Sequence, residues 1–400
     1  MAQGLVRSYA SGVRCALWPD IRTEPALAHA AHAFAGMDIA LLLVFAAAET
    51  DPQALSGDMA RHFPGVAHIA CSTAGEIGPN GYSEGSIVAL ALPADGFCAS
   101  IDAIEDLSKT QFEDIVRRAE QLRKTHEATH AGKAGGADFA LSFVDGLSQR
   151  EEVFVSALHR AMDGVPLLGG STGDDLAFKR SWCVSGGRVL EDCGVMALVR
   201  TRHPFHVFRH DNFEPTEMRL VVTDCDQDAR TVREFNAAPA AREYADCIGV
   251  DPATLDPMSF AAHPVVVKVG GEYYCRSIGH TNADGSLTFF CAVETGLVLT
   301  VARSNHLVDS ARAALTTARG QIRAAASDDG KTEEADLVLG FDCALRRLDA
   351  AHRQMQRQLS DVYRENGVIG FNTFGEQFGA MHLNQTFTGL AIGAAPRPRP

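Results

Sequence analysis

The chain has 400 residues, 46% apolar and 22% charged, enough to bury more than one core and to make two or three domains. Its 50 acidic against 36 basic side chains give a formal charge of −14, a field that repels phosphate backbones and anionic headgroups, so neither nucleic acid nor a membrane surface is an expected partner. No apolar run approaches the roughly 20 residues of a spanning helix, and the first residues lack the apolar centre of a secretory signal, so the expected location is cytoplasmic.

Residues 1–34 read as an N-terminal segment. Residues 39–48 are a near-continuous apolar run of strand length, and Asp51-Pro52 then opens a helical pattern to about residue 63. A second apolar run over 66–71 ends in the loop Ser72-Thr73-Ala74-Gly75-Glu76, and the chain returns as a strand at 86–92. The same order recurs as a strand at 139–144, a helix over 151–162, the loop Ser171-Thr172-Gly173-Asp174-Asp175 and a strand at 194–199. It comes a third time as 337–341, a long helix to about 364, a strand at 367–371, the loop Asn372-Thr373-Phe374-Gly375-Glu376-Gln377 and a strand at 388–392. With T-x-G-E in the first and third copies and T-G-D-D in the second, the chain reads as one ancestral unit repeated.

Between the second and third copies the pattern changes to short strands at 205–208, 220–223, 264–269, 273–278, 286–291 and 296–301, with a helix at 232–248. Asn282-Ala283-Asp284-Gly285 is a hairpin turn, since Asp and Gly accept the positive φ that such turns demand. Surface connections are expected at 132–136 and 326–330, and a disordered tail at 394–400. The expected fold is α+β: two associated domains, 35–235 and 236–393, with repeated β-α-β units and a hairpin-rich mixed and antiparallel sheet region.

The ten cysteines form no C-x-x-C pair and read as small buried hydrophobes rather than a disulfide framework or a thiolate zinc site. Gly169-Gly170-Ser171-Thr172-Gly173 matches G-x-S-x-G, which makes a serine hydrolase using Ser171 the alternative of another class. Ser72 and Asn372 hold the matching positions of the other copies, and an amide is no nucleophile. Glu76, Asp175 and Glu376, three residues after their threonines, are either paired acids or a cation site, or acceptors for their own loops. No H-E-x-x-H occurs, so a hydrolytic zinc site is not expected. His206 and His210 share one face of a short strand, and His382 sits near the mouth of the third loop; these three are the candidate metal ligands.

Cys71 to Ile77, Gly169 to Asp175, Gly271 to Ile278 and above all GFNTFGEQFGAMHLNQTFTGLAIG at 370–393 resemble the FIST N-terminal and C-terminal domains. The resemblance runs from about residue 35 to 393. It implies a bacterial sensory module, not an enzyme, that binds a small molecule and regulates a histidine kinase or a cyclic-di-nucleotide enzyme, a diguanylate cyclase or phosphodiesterase. Through 286–293 and 296–300 the chain is also similar to the haem-containing, nitric-oxide-sensing members. That likeness implies haem b, with His382, His206 or His210 on iron and Arg276, Arg209 or Arg303 at the propionates. The alternative ligand is a small metabolite such as an amino acid. The binding residues expected are Thr73, Gly75 and Glu76 of the first loop; Ser171, Thr172, Asp174 and Asp175 of the second; Glu376, Gln377 and Asn384 of the third; and Arg276.

Overall fold

The computed structural model describes residues 4–21, 26–131, 136–325 and 335–395. Residues 132–135 of the first expected connection, the whole of the second, 326–330, and the last residues of the expected tail, 396–400, lie outside them.

Each repeat begins with a parallel strand pair joined by a helical crossover. The pairs are Ile39–Ala47 with His68–Thr73, Ala137–Asp145 with Leu167–Thr172, and Leu337–Cys343 with Val368–Thr373. Both faces of these strands are covered, which is why they read as continuous apolar runs rather than as alternation. In all three repeats the last residue of the first strand, Ala47, Asp145 or Cys343, is the register partner of the loop threonine. A return strand, Ile87–Pro93, Gly194–Thr201 or Phe387–Ile392, then adds antiparallel to the first strand of its own repeat.

Between its loop and its return strand each repeat sends out a short hairpin, and the hairpins are exchanged in a cycle. Glu76–Gly78 of the first repeat pairs with Val368–Thr373 of the third. Cys183–Ser185 of the second pairs with His68–Thr73 of the first, and Glu376–Phe378 of the third pairs with Leu167–Thr172 of the second. The far edges obey the same rule: Phe97–Ile104 lies on the second repeat's return strand and Phe205–His210 on the third's. The three sheets are thus interlocked with approximate threefold symmetry. Phe45, Phe143 and Phe341 hold one position in the three repeats and meet at the centre, with ring centroids 6.3 Å and 6.0 Å apart for the first and second pairs.

The fourth sheet is antiparallel, and Glu272–Arg276 and Ile278–Thr281 are at its two edges. These are consecutive halves of one chain segment, so the sheet curls into an open barrel whose edges are joined by the chain at Ser277, with Leu220, Phe235, Tyr244 and Val265 in its core. The expected α+β fold of two associated domains is the one observed, and the exchanged hairpins are what associate them.

Three elements differ from expectation. The expected strand 273–278 breaks at Ser277 into the two barrel edges. Of the helix read at 232–248 only Ala240–Ile248 is helical, because Thr231–Phe235 is a barrel strand. The long third-repeat helix is two, Ala344–His352 and Gln356–Glu365, separated where Gln354 takes a φ of 59°. All ten cysteines are free and eight are buried, as small hydrophobes would be. Among the described residues no helix is long and apolar enough to cross a membrane.

Candidate functional site

The three loops carrying the threonines meet on the pseudo-threefold axis and bond to one another. The Ala74 amide donates to the Asn372 carbonyl at 2.9 Å, the Gly173 amide to Ser72 at 3.2 Å, and the Phe374 amide to Ser171 at 3.2 Å. Ser72, Thr73, Ser171, Thr172, Asn372 and Thr373 are all buried there. The tips therefore converge, but on each other, with their backbone groups consumed in the contact.

The loop carboxylates serve their own repeats. Glu76 accepts from the Thr73 hydroxyl and from the Ser86 amide and hydroxyl, at 3.1 and 2.7 Å. Glu376 does the same with Thr373 and with Thr386, again at 3.1 and 2.7 Å. Burial lifts Glu76 to about 7 and Glu376 to about 8, against the hydroxyl and amide donors that lower both. The second repeat differs: the residue paired with Cys71, where Glu76 pairs with Phe371 and Glu376 with Gly170, is Cys183. Asp174 instead accepts the amides of Phe178, Lys179 and Arg180, and the exposed Asp175 pairs with Arg347 at 2.7 Å. Gly75, at a φ of 125°, packs against that same Arg347.

Ser171 is fully buried within Leu167–Thr172, and its hydroxyl accepts from Gln377 Nε2 at 3.0 Å. The next elements are a loop and the hairpin Cys183–Ser185/Arg188–Leu190, not the helix that a nucleophile elbow requires. Asn384 donates to the Phe374 carbonyl at 3.3 Å, leaving its Oδ1 unpartnered.

A cleft of about 400 Å³ opens beside these loops, between the helix Glu151–Met162, the barrel edge at Arg276 and the third repeat's hairpin at Met381 and His382. Glu152 and Arg276 are its charged lining residues, and Glu152 belongs to a buried ion cluster behind the wall. Arg230, held in the barrel, donates to Glu151 at 2.9 Å and to Glu152 at 2.7 Å, and the Ala292 amide adds 2.8 Å to Glu152. Burial raises Glu151 to about 7, helped by the neighbouring Glu152 and opposed by Arg230. Burial also works against the ionised Glu152, but a protonated His382, Arg230 and the Ala292 amide outweigh it and lower its pKa. Burial, with Arg230 and Arg276 nearby, pushes His382 down to about 4, so the imidazole is neutral at pH 7.

Two residues that line this cleft carry buried polar atoms without partners. Both ring nitrogens of the 2%-exposed His382 are without a hydrogen bond, as is the buried Nη1 of Arg276. The ring fits because residue 375 is glycine: a Cβ there would stand 2.2 Å from His382 Cε1. Phe112, Val153 and Met381 give the cleft its apolar wall, and Ser156 adds a hydroxyl.

The structure brings the expected binding residue Arg276 and the candidate metal ligand His382 together in this cleft, and puts Thr73, Ser171 and Thr172 on the axis. His206 and His210 lie on Phe205–His210, in a different sheet from His382, with His210 Nε2 3.2 Å from Ser310 Oγ. Arg209 lies over the Tyr274 ring at 4.6 Å, and Arg303 is exposed. Among the described residues no group of three or more His, Cys, Asp or Glu could hold a metal ion. Sequence reasoning missed Glu151, Glu152 and Arg230. Two glutamates in a first helical turn signal only a favourable dipole, and Arg230 follows a turn with no motif around it.

The FIST N domain model matches residues 40–238 and the FIST C domain model residues 240–379. An uncharacterized protein of Methanocaldococcus jannaschii is 26% identical over 193 residues, which cover 48% of this chain and 36% of that protein, so the chain spans about a third of the length of the curated relative it matches. With both matches in order along most of its length, the chain belongs to the FIST family, whose domains are sensory domains of signal transduction.

Proposed function

We propose that the chain is a cytoplasmic sensor whose cleft takes a small amphoteric metabolite, of the class of the amino acids. The observation that carries this is the pairing of an unpartnered Arg276 guanidinium nitrogen with the Glu152 carboxyl group on one cleft that also has an apolar wall. A carboxylate suits the arginine fork, an ammonium group suits Glu152, and Phe112, Val153 and Met381 receive an apolar side chain. His382, neutral with two free ring nitrogens, offers one donor and one acceptor.

The cleft's walls come from the second repeat, the third repeat and the barrel, so a guest that prefers one arrangement of these parts shifts their populations and produces an output. The partner proposed for that output is a histidine kinase or a diguanylate cyclase or phosphodiesterase. A thermal-melt panel of the standard amino acids tests the reading: a guest raises the melting temperature by mass action. No response at millimolar concentration would reject it.

One observation favours a second reading, haem b. A buried neutral imidazole with no hydrogen-bond partner is the form that ligates iron, and Arg276 in the same cleft suits a propionate. Bound there, haem would supply an open coordination position for a diatomic gas such as nitric oxide. An absorbance spectrum after haem addition decides: a Soret band lost in His382→Ala supports this reading, and no uptake ends it.

A further inference from the structure

The approximate threefold symmetry exposes an insertion. Two residues separate Thr73 from Glu76 and Thr373 from Glu376, but ten, 173–182, separate Thr172 from the corresponding Cys183. The fold closes in the other repeats without these extra residues. They are nonetheless built with care: the Asp174 carboxylate gathers three amides at 2.6 to 2.9 Å, and Asp175 is tied to Arg347. Asp175, Leu176 and Phe178 are held at φ of 53°, 67° and 52°, a region that bulky side chains avoid.

The result of that strained backbone is the placing of one ring. Phe178 is 44% exposed, yet it stacks on Phe374 at 4.7 Å and 28° and on Phe290 at 5.4 Å and 18°. Leu176, Cys343, Ala344, Leu345 and Thr373 complete the surround, and the space left free is about 10 Å³, room for a single water. This slot shares no lining residue with the charged cleft. We infer that the slot between Phe290 and Phe374 is a second ligand site, for an uncharged planar aromatic ring, and that Phe178 is the chain's own occupant of it, displaced when such a ring enters. The ring faces supply stacking, the slot's lining residues are all uncharged, and the insertion is the gate.

The test is a fluorescence titration of the full chain with 1-aminoanthracene, a neutral planar probe. Phe178→Ala empties the slot and is expected to bind the probe roughly tenfold tighter than the wild type, the gain expected from no longer displacing a doubly stacked ring. Adding Phe374→Ser to that variant is expected to abolish the gain. Should Phe178→Ala fail to give a cooperative melt, Asp174→Asn, which loosens the gate while keeping the ring, must show tighter binding instead. Affinity equal to that of the wild type in the folded variant, or a gain that survives Phe374→Ser, would overturn the inference.

Discussion

Arg230 Nη2 stands 2.7 Å from Glu152 Oε2, so a barrel side chain neutralises the start of a helix in the second repeat. The same nitrogen reaches Glu151 at 2.9 Å, and Arg230 and Glu151 have side chains only 7% and 4% exposed. Arg230→Gln leaves buried negative charge without its counterion, which costs about 3–5 kcal/mol in comparable buried pairs. Urea unfolding should show a loss of that order. A loss below about 1 kcal/mol would mean that water reaches the pair.

Gly375 and His382 make a steric pair. Gly375→Ala drives a methyl into the imidazole and onto the Leu383 carbonyl oxygen, 2.9 Å from the new Cβ, and is expected to cost about 1–3 kcal/mol. His382→Ala removes the first clash, so the double variant should lose less than the two single losses together. Strict additivity in the cycle would show that the ring does not rest on residue 375.

The pH dependence has a definite sign. Glu76 and Glu376 are raised from 4.5 to about 7 and 8, so the native state keeps protons that the unfolded chain releases. Their contribution is complete below about pH 4.5 and is lost as pH rises through 5 to 8, by at most about 1.4 kcal/mol per pH unit for each group. His382, lowered from 6.5 to about 4, acts on the other side, where stability falls as pH drops from 6.5 towards 4. Glu376→Gln should therefore gain on the wild type between pH 6 and pH 8, read as the difference in urea midpoints. A difference unchanged across that range would show Glu376 to be ionised throughout.

The shared aromatic centre predicts cooperativity. Phe143 touches Phe45 of the first sheet and Phe341 of the third, so Phe143→Ala should cost about 3–5 kcal/mol and lower amide protection in all three sheets together. Protection lost in Ala137–Asp145 alone would show the sheets to be independent.

The repeats were legible because strands covered on both faces leave long apolar runs, and the helix at 151–162 matches the observed bounds. The hairpin exchange was not, because three-residue strands such as Glu76–Gly78 and Cys183–Ser185 leave no periodicity, and their partners are chosen by tertiary closure. Position also misled: counting three residues from each threonine aligned Asp175 with Glu76 and Glu376, whereas the insertion moves the true counterpart to Cys183. Arg276 and His382 were legible only as residue types. Their meeting with Glu152 and Arg230 depends on the barrel folding back over the second repeat's helix, which no local signal encodes.

The proposed sensor works only if the cleft holds a guest between Arg276 and Glu152. The most direct measurement is isothermal titration calorimetry of the full chain with the amino acid giving the largest thermal shift, repeated on Arg276→Gln. The expected result is one site per chain, weakened at least tenfold by the substitution with the melt still cooperative. Equal affinity in wild type and Arg276→Gln would contradict it.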